Sequence, residues 1–267
     1  MHKLGLKLWS SNSFYIKPAM DLYNESIFDY VELYVVPGTE EGYLQEWKKT
    51  KFLFILHAPH AGAGFNLSLK ECELKNRGLI KEVESFRAAL NPTQVIFHPG
   101  IHGSIEETIR QIAIFRNEFS NLFDLAVIEN KPKMGLNGEI CVGASPEEMG
   151  KILDETGLGF CLDIGHAICY AAWEKSDWKK IVENFMKLSP QMFHLSDGDI
   201  DSRTDRHYHF GKGNFDLSRI VELLPSGAYV TIETEKNSKN DLNDFKSDAL
   251  FLQNLFQCQG QKLKHYL

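Results

Sequence analysis

Eight short apolar runs recur along the chain: KLGLKLW (3–9), YVELYVV (30–36), KFLFIL (51–56), QVIFH (94–98), DLAVIE (124–129), GFCLD (159–163), QMFHL (191–195) and AYVTIE (228–233). They are rich in Val, Ile, Phe and Leu, and their near-continuous apolar character is that of parallel strands buried on both faces. Between them, residues 69–90, 104–119, 145–156, 176–188 and 242–256 carry apolar side chains at three- and four-residue spacing, the pattern of amphipathic helices. Ser145 followed by Pro146 and two acids has the form of a helix N-terminus. The segment TEEGYLQEWKK after the second run has room only for a short helix. Eight strand–helix alternations in roughly 250 residues predict an α/β chain folded as a single-domain (β/α)8 TIM barrel over residues 1–256, with a polar C-terminal tail at 257–267. A doubly wound open sheet is the rival. It is disfavoured because LWSSNSF, rather than a Gly-rich phosphate loop, follows the first run.

The polar residues that close these runs narrow the function. The third run leads into His57, and the next five end at or contain His98, Glu129, Asp163, His194 and Glu233. In a barrel such ends converge on the C-terminal mouth. Imidazoles and carboxylates gathered there without a cation would leave like charges opposed in a partly dry site. A His/carboxylate set without thiolate suits Zn2+, with Mn2+, Fe2+ or Co2+ as further candidates, and not Ca2+. His166 in LDIGHA, with Asp205 and His207 in DRHYHFGKG, forms a second two-imidazole, one-carboxylate set. The expectation is a multinuclear metal site. Taken singly, a strand-end histidine such as His98 is more often a hydrogen-bonded boundary residue. Likewise HLSDGD reads as an ordinary turn whose Asp197, Asp199 and Asp201 merely solvate it, and His2, His102 and His265 have no partner pattern.

A formal net charge of −7 offers no broad basic footprint, which argues against a non-specific nucleic-acid coat and leaves room for a local basic strip. Five scattered cysteines without a C-x-x-C pair read as reduced, packed thiols of a cytoplasmic protein. The apolar start is broken by Lys7 and too short for a signal peptide, no window approaches a membrane span, and no obligate protein partner is evident.

HAP (57–59), HPG (98–100), IEN (128–130), LDIGHA (162–167), HLSD (194–197), DRH and GKG (205–213) and IET (232–234) occur in an order that resembles the xylose-isomerase-like TIM-barrel superfamily, and within it the endonuclease IV (AP endonuclease family 2) branch. That resemblance implies up to three zinc ions. His57, His98 and Glu129 would hold the first, Glu129, Asp163, His194 and Glu233 the second, and His166, Asp205 and His207 the third. The carboxylate/His set on the last four strands is shared with sugar isomerases, whereas DRH…GKG is more particular to the nuclease branch. The departures lie in loops: HAPHAGAGFN places His60 near the family's Tyr, NKPKMGLNGE lacks the usual Gly-rich text, and LKLWSSN replaces a His-containing motif. His60 is thus a substrate contact or a shifted ligand in place of His57.

Two chemistries fit. In the first, a metal-dependent phosphodiester hydrolase cuts DNA at an abasic site, with Glu129 bridging the ions and Lys131, Lys133 and Arg206 lending positive charge to phosphate. In the second, a sugar or sugar-phosphate isomerase/epimerase uses one metal, with Glu129 and Glu233 as paired acid–base catalysts on a small phosphorylated sugar. His166 and Arg206 would then contact substrate, and Trp9 or Trp173 would pack against a sugar face.

Overall fold

The structure is a computed structural model and describes residues 2–264. Eight strands, β1 (Lys3–Trp9), β2 (Tyr30–Tyr34), β3 (Phe54–His57), β4 (Val95–Phe97), β5 (Ala126–Glu129), β6 (Gly159–Asp163), β7 (Met192–Leu195) and β8 (Tyr229–Ile232), pair in parallel in chain order, and β8 closes on β1. The helices are α1 (Ile16–Asn24), α2 (Glu40–Lys48), α3 (Glu73–Leu90), α4 (Ile105–Glu118), α5 (Ser120–Phe123), α6 (Pro146–Thr156), α7 (Ile164–Glu174), α8 (Trp178–Met186), α9 (Leu217–Leu223) and α10 (Asn243–Lys264). The chain is therefore the single-domain (β/α)8 barrel that the spacing of apolar runs predicts. Ser145 does cap α6, its hydroxyl accepting the Glu148 N–H at 3.1 Å. Residue 257, where the polar tail is expected to begin, lies inside α10; His265 lies outside the described residues. No helix among the described residues is long and apolar enough to cross a membrane.

Two cores hold the barrel. Leu, Ile, Phe and Trp side chains fill the space between strands and helices, with Trp47, Phe86, Phe115, Phe185 and Phe245 buried completely. A separate cluster of Tyr30, Ile55, Ile96, Val127, Cys161 and Met192, with Tyr229 against it, plugs the barrel's interior. Gly5 leaves room for that plug, since a Cβ there would lie 2.3 Å from the Tyr30 ring.

Alternation along a strand sends every second side chain to the same face. Two residues beyond each interior plug residue stand Glu32, His57, His98, Glu129, Asp163, His194 and Thr231, and two beyond Gly5 stands Lys7. Seven of these eight residues are buried, and Lys7 is mostly so. The barrel thus carries an apolar floor and, above it, a layer in which all eight strands supply a polar side chain.

Candidate metal centre

Glu129, at the end of β5, is the hub. Its Oε2 lies 3.2 Å from His57 Nε2, 3.0 Å from His98 Nε2 and 3.3 Å from His194 Nδ1. His57 donates its Nδ1–H to the Ala58 carbonyl at 2.8 Å, which orients the ring so that Nε2 faces the carboxylate. His194 engages Glu32 through Nε2 at 2.8 Å, while its buried Nδ1 makes no hydrogen bond although it sits 2.7 Å from Glu233 Oε1. Against the pull of burial, Cys161, Glu233, Glu32 and Glu129 raise His194 well above the ordinary imidazole value, so this dry site draws a positive charge, as a proton on Nδ1 or as a bound cation. The donor set therefore fits a divalent cation.

Electrostatics agree on where positive charge is wanted. Burial pushes the Glu129 carboxyl up, but His98, His194 and His166 outweigh it and hold the group well below the usual carboxylate range. Glu233 behaves likewise, burial being outweighed by His194 and Lys7. Asp163 goes the other way: burial raises it to about 6 against the pull of His166, with Asp205, Glu233 and Glu129 adding to the rise.

Four sets of potential ligand atoms each lie mutually within 4.8 Å: His57/His98/Glu129, Glu129/Asp163/His166, Glu32/His194/Glu233 and Glu129/Cys161/His194. The last is the weakest metal candidate, because burial pushes the Cys161 thiol up to about 12, against the pull of His194. The sequence pattern assigns His166 to a set with Asp205 and His207. The structure brings these together more loosely, with Asp205 Oδ2 at 3.6 Å from His166 Nε2 and 3.5 Å from His207 Nε2. His166 donates Nδ1–H to the Asn130 carbonyl at 2.8 Å, which leaves Nε2 for the Asp205 side even though Nδ1 is 3.3 Å from Glu129. Asp205 Oδ2 and His207 Nδ1 are buried without hydrogen-bond partners. Asp205 Oδ1 instead accepts the N–H groups of Arg206 and His207, at 2.6 and 3.2 Å, and this tight turn puts His207 at φ 48°.

Asp197 is buried, and it does not merely solvate its turn. Its carboxylate accepts the N–H groups of Gly198, Gly211, Gly213 and Phe215 at 2.8–3.2 Å, folding the whole 198–215 loop about one side chain. Asn130 is a further member that the sequence pattern omits: its side-chain amide exchanges two hydrogen bonds with the Asp163 backbone, at 2.8 and 3.0 Å, and clamps β5 to β6. Lys7 and Glu32 complete the omissions. Lys7 Nζ is hydrogen-bonded to Glu233 and lies 3.2 Å from Glu32. A charge in the middle of an apolar run is the signal for both.

Above the centre opens a cavity of about 720 Å3, whose walls include Trp9, Phe14, Tyr34, His60, Lys131 and Leu136. Rings run from the rim inward: Trp9 packs on Tyr34 at 5.5 Å, Tyr34 on His60 at 5.2 Å, and His60 stacks over His98 at 6.2 Å. His60 belongs to none of the ligand sets, whereas His57 does. His60 Nδ1 accepts the Gly62 N–H at 3.0 Å, so the neutral ring carries its proton on Nε2. Burial, with Lys131, His57 and Lys7, lowers His60 to about 4. Three expected substrate contacts lie elsewhere. Lys133 pairs with Glu148 at 3.2 Å, Trp173 carries the Arg203 guanidinium at 5.3 Å, and Arg206 is exposed away from the cavity lining.

Comparisons with known proteins bear on this architecture. The chain is 27% identical to "Probable endonuclease 4" of Aquifex aeolicus over 231 residues, 76% of this chain and 78% of that protein. It is 26% identical to the protein of the same name from Nitratidesulfovibrio vulgaris, with 59% and 62% of the two chains covered, so that alignment spans less than two thirds of the relative. Among solved structures, a D-tagatose 3-epimerase-like protein superposes with TM-score 0.73 at 18% identity, covering 98% of this chain and 99% of that one. Endonuclease IV from Thermus thermophilus superposes with TM-score 0.68 at 20% identity, covering 94% and 99%. These two likenesses establish a shared barrel. With the family described as "Xylose isomerase-like TIM barrel" matching residues 21–255, the chain belongs to the xylose isomerase-like TIM-barrel family.

Proposed function

We propose that the chain is a divalent-metal-dependent phosphoester hydrolase of the endonuclease IV kind, with zinc as the first-choice ion, up to three bound, and an abasic site in DNA as the first substrate to test. The observation that carries this reading is Asp205 Oδ2, buried and unpartnered between His166 and His207. In a one-metal isomerase His166 would contact substrate, and Asp205 and His207 would matter less. His57, His98, Glu129, Asp163, His194 and Glu233 would hold the remaining ions, and Mn2+, Fe2+ or Co2+ suit the same donors. Bound divalent ions supply a water ionised near neutral pH and stabilise charge on phosphate oxygens.

The chain's own contribution is to position and neutralise. Lys131 and Lys239 line the cavity and form no ion pair among the described residues, which suits an anionic substrate. His60 offers a fixed Nε2–H donor from the same wall, and Trp9, half exposed at the rim, offers a flat face to a sugar or base. A second reading, a sugar or sugar-phosphate isomerase/epimerase, is favoured by one feature: the cavity has the size of a small-molecule site and both Glu129 and Glu233 line it. Against it, Lys7 is ion-paired to Glu233 and holds down that carboxylate's basicity.

The test is Asp205→Ala, assayed with zinc-loaded protein on an abasic oligonucleotide and on phosphorylated sugars. Cleavage by the wild type that falls roughly a hundredfold or more in the variant, with one metal equivalent lost, supports hydrolysis. Sugar epimerisation that survives Asp205→Ala overturns it in favour of the isomerase.

A further inference from the structure

Beneath the ligand cluster lies a polar group that none of the expected site residues includes. Glu32 is fully buried in β2. Its Oε2 accepts His194 Nε2–H at 2.8 Å and the Thr231 hydroxyl at 2.7 Å. Thr231 spends its only proton on Glu32, so the Tyr30 hydroxyl donates to Thr231, at 2.9 Å. Lys7 Nζ lies 3.2 Å from Glu32 Oε1, and that oxygen has no hydrogen bond of its own. Strand pairing fixes these neighbours: Lys7 is directly opposite Glu32 on β1 and β2, and His194 is opposite Thr231 on β7 and β8.

A buried carboxylate that only accepts dictates which imidazole nitrogen carries the proton. With Nε2–H committed to Glu32, His194 turns Nδ1 toward Glu129 and Glu233. Without Glu32 the ring would be free to flip or to take the other tautomer, and no other acceptor is bonded to Nε2. Carboxylates behind metal-ligating histidines act in this way, raising the basicity of the ring and locking its orientation.

We infer that Glu32 is a positioning residue of the metal centre: it fixes His194 as an Nδ1 ligand, and the Tyr30–Thr231 hydroxyl chain and Lys7 hold Glu32 in place. The inference rests on the metal-centre reading. Although Glu32 forms one of the potential ligand sets with His194 and Glu233, its Oε2 is taken by His194 and Thr231 and its Oε1 faces Lys7, so in this role it touches neither substrate nor ion.

The test is zinc titration of metal-free protein by calorimetry, with 15N-histidine spectra of the zinc-loaded form. In the wild type His194 should be Nε2-protonated with Nδ1 bound. Glu32→Gln should weaken one zinc equivalent by about 10- to 100-fold, leave the equivalent held by His57 and His98 unchanged, and lose the fixed His194 signature. Because Lys7 loses one of its two carboxylate partners in that variant and keeps only Glu233, the same substitution is repeated in a Lys7→Met background and compared with Lys7→Met alone. A loss that persists there supports positioning, and a loss that vanishes there reduces Glu32 to a counter-ion of Lys7 and overturns the proposal. Should Glu32→Gln fail to fold, Thr231→Val carries the test, with a several-fold weakening of the same equivalent expected and unchanged affinity contradicting it. A wild type that takes up zinc while Glu32→Gln binds identically overturns this inference alone; a wild type that takes up no zinc overturns the metal reading with it.

Discussion

His60 and Glu129 show how much a single side chain's surroundings decide. Three imidazole nitrogens within 3.3 Å of one carboxylate oxygen make Glu129 Oε2 the point where charge must be neutralised. His60, in the loop just beyond His57, has the opposite task, since burial and nearby cations lower it from 6.5 to about 4. As pH falls from 6.5, the unfolded chain takes up a proton at His60 that the folded chain refuses until about 4. Stability from this group is therefore present above 6.5 and is lost as pH falls through that window. Urea unfolding at pH values of about 7.5, 5.5 and 4.5 checks this: His60→Gln should lose less stability on acidification than the wild type, and parallel losses would contradict it. The strand-end candidate ligands are legible in the sequence because each closes an apolar run. Lys7, Glu32 and Thr231 stand inside runs, and only a count of every second residue places them on the inner face beside His194.

Whole segments depend on such residues too. The loop after β7 that carries Asp205 and His207 is organised by Asp197, whose four accepted N–H groups come from up to eighteen residues away. Gly213 is required there, since a Cβ would lie 2.1 Å from the Gly198 carbonyl oxygen. A second tie, His209 Nδ1 to Asp248 at 2.7 Å, binds the same loop to α10. Asp197→Ala should destabilise the protein by about 2–4 kcal/mol, as buried N–H groups lose a charged acceptor. Amide exchange at Gly211, Gly213 and Phe215 should accelerate while the β3–β5 amides stay protected; uniform exchange would contradict a local role. HLSDGD looks like a solvated turn because its bonding partners lie far along the chain, beyond local pattern. Helix α7 is illegible in the sequence for another reason: IGHAIC is buried on all sides and has no amphipathic stripe. By contrast α6, with its Ser cap and Pro, is legible to the residue.

At the scale of the molecule, eight parallel strands bring one polar side chain each to the same end of an apolar plug. The alternation of strands and helices suffices to predict the barrel, and the barrel in turn makes residues as distant in sequence as Lys7 and Glu233 neighbours. Ion occupancy and substrate are decided by how those side chains meet, at tenths of an ångström that residue spacing does not encode. The central claim is that His57, His98, Glu129, Asp163, His166, His194, Asp205, His207 and Glu233 surround shared cations at one rim. Anomalous diffraction at the zinc edge from zinc-soaked crystals tests it most directly. The expected result is two or three peaks clustered around Glu129 with one beside Asp205; no peak there, or peaks only at surface histidines, would contradict it.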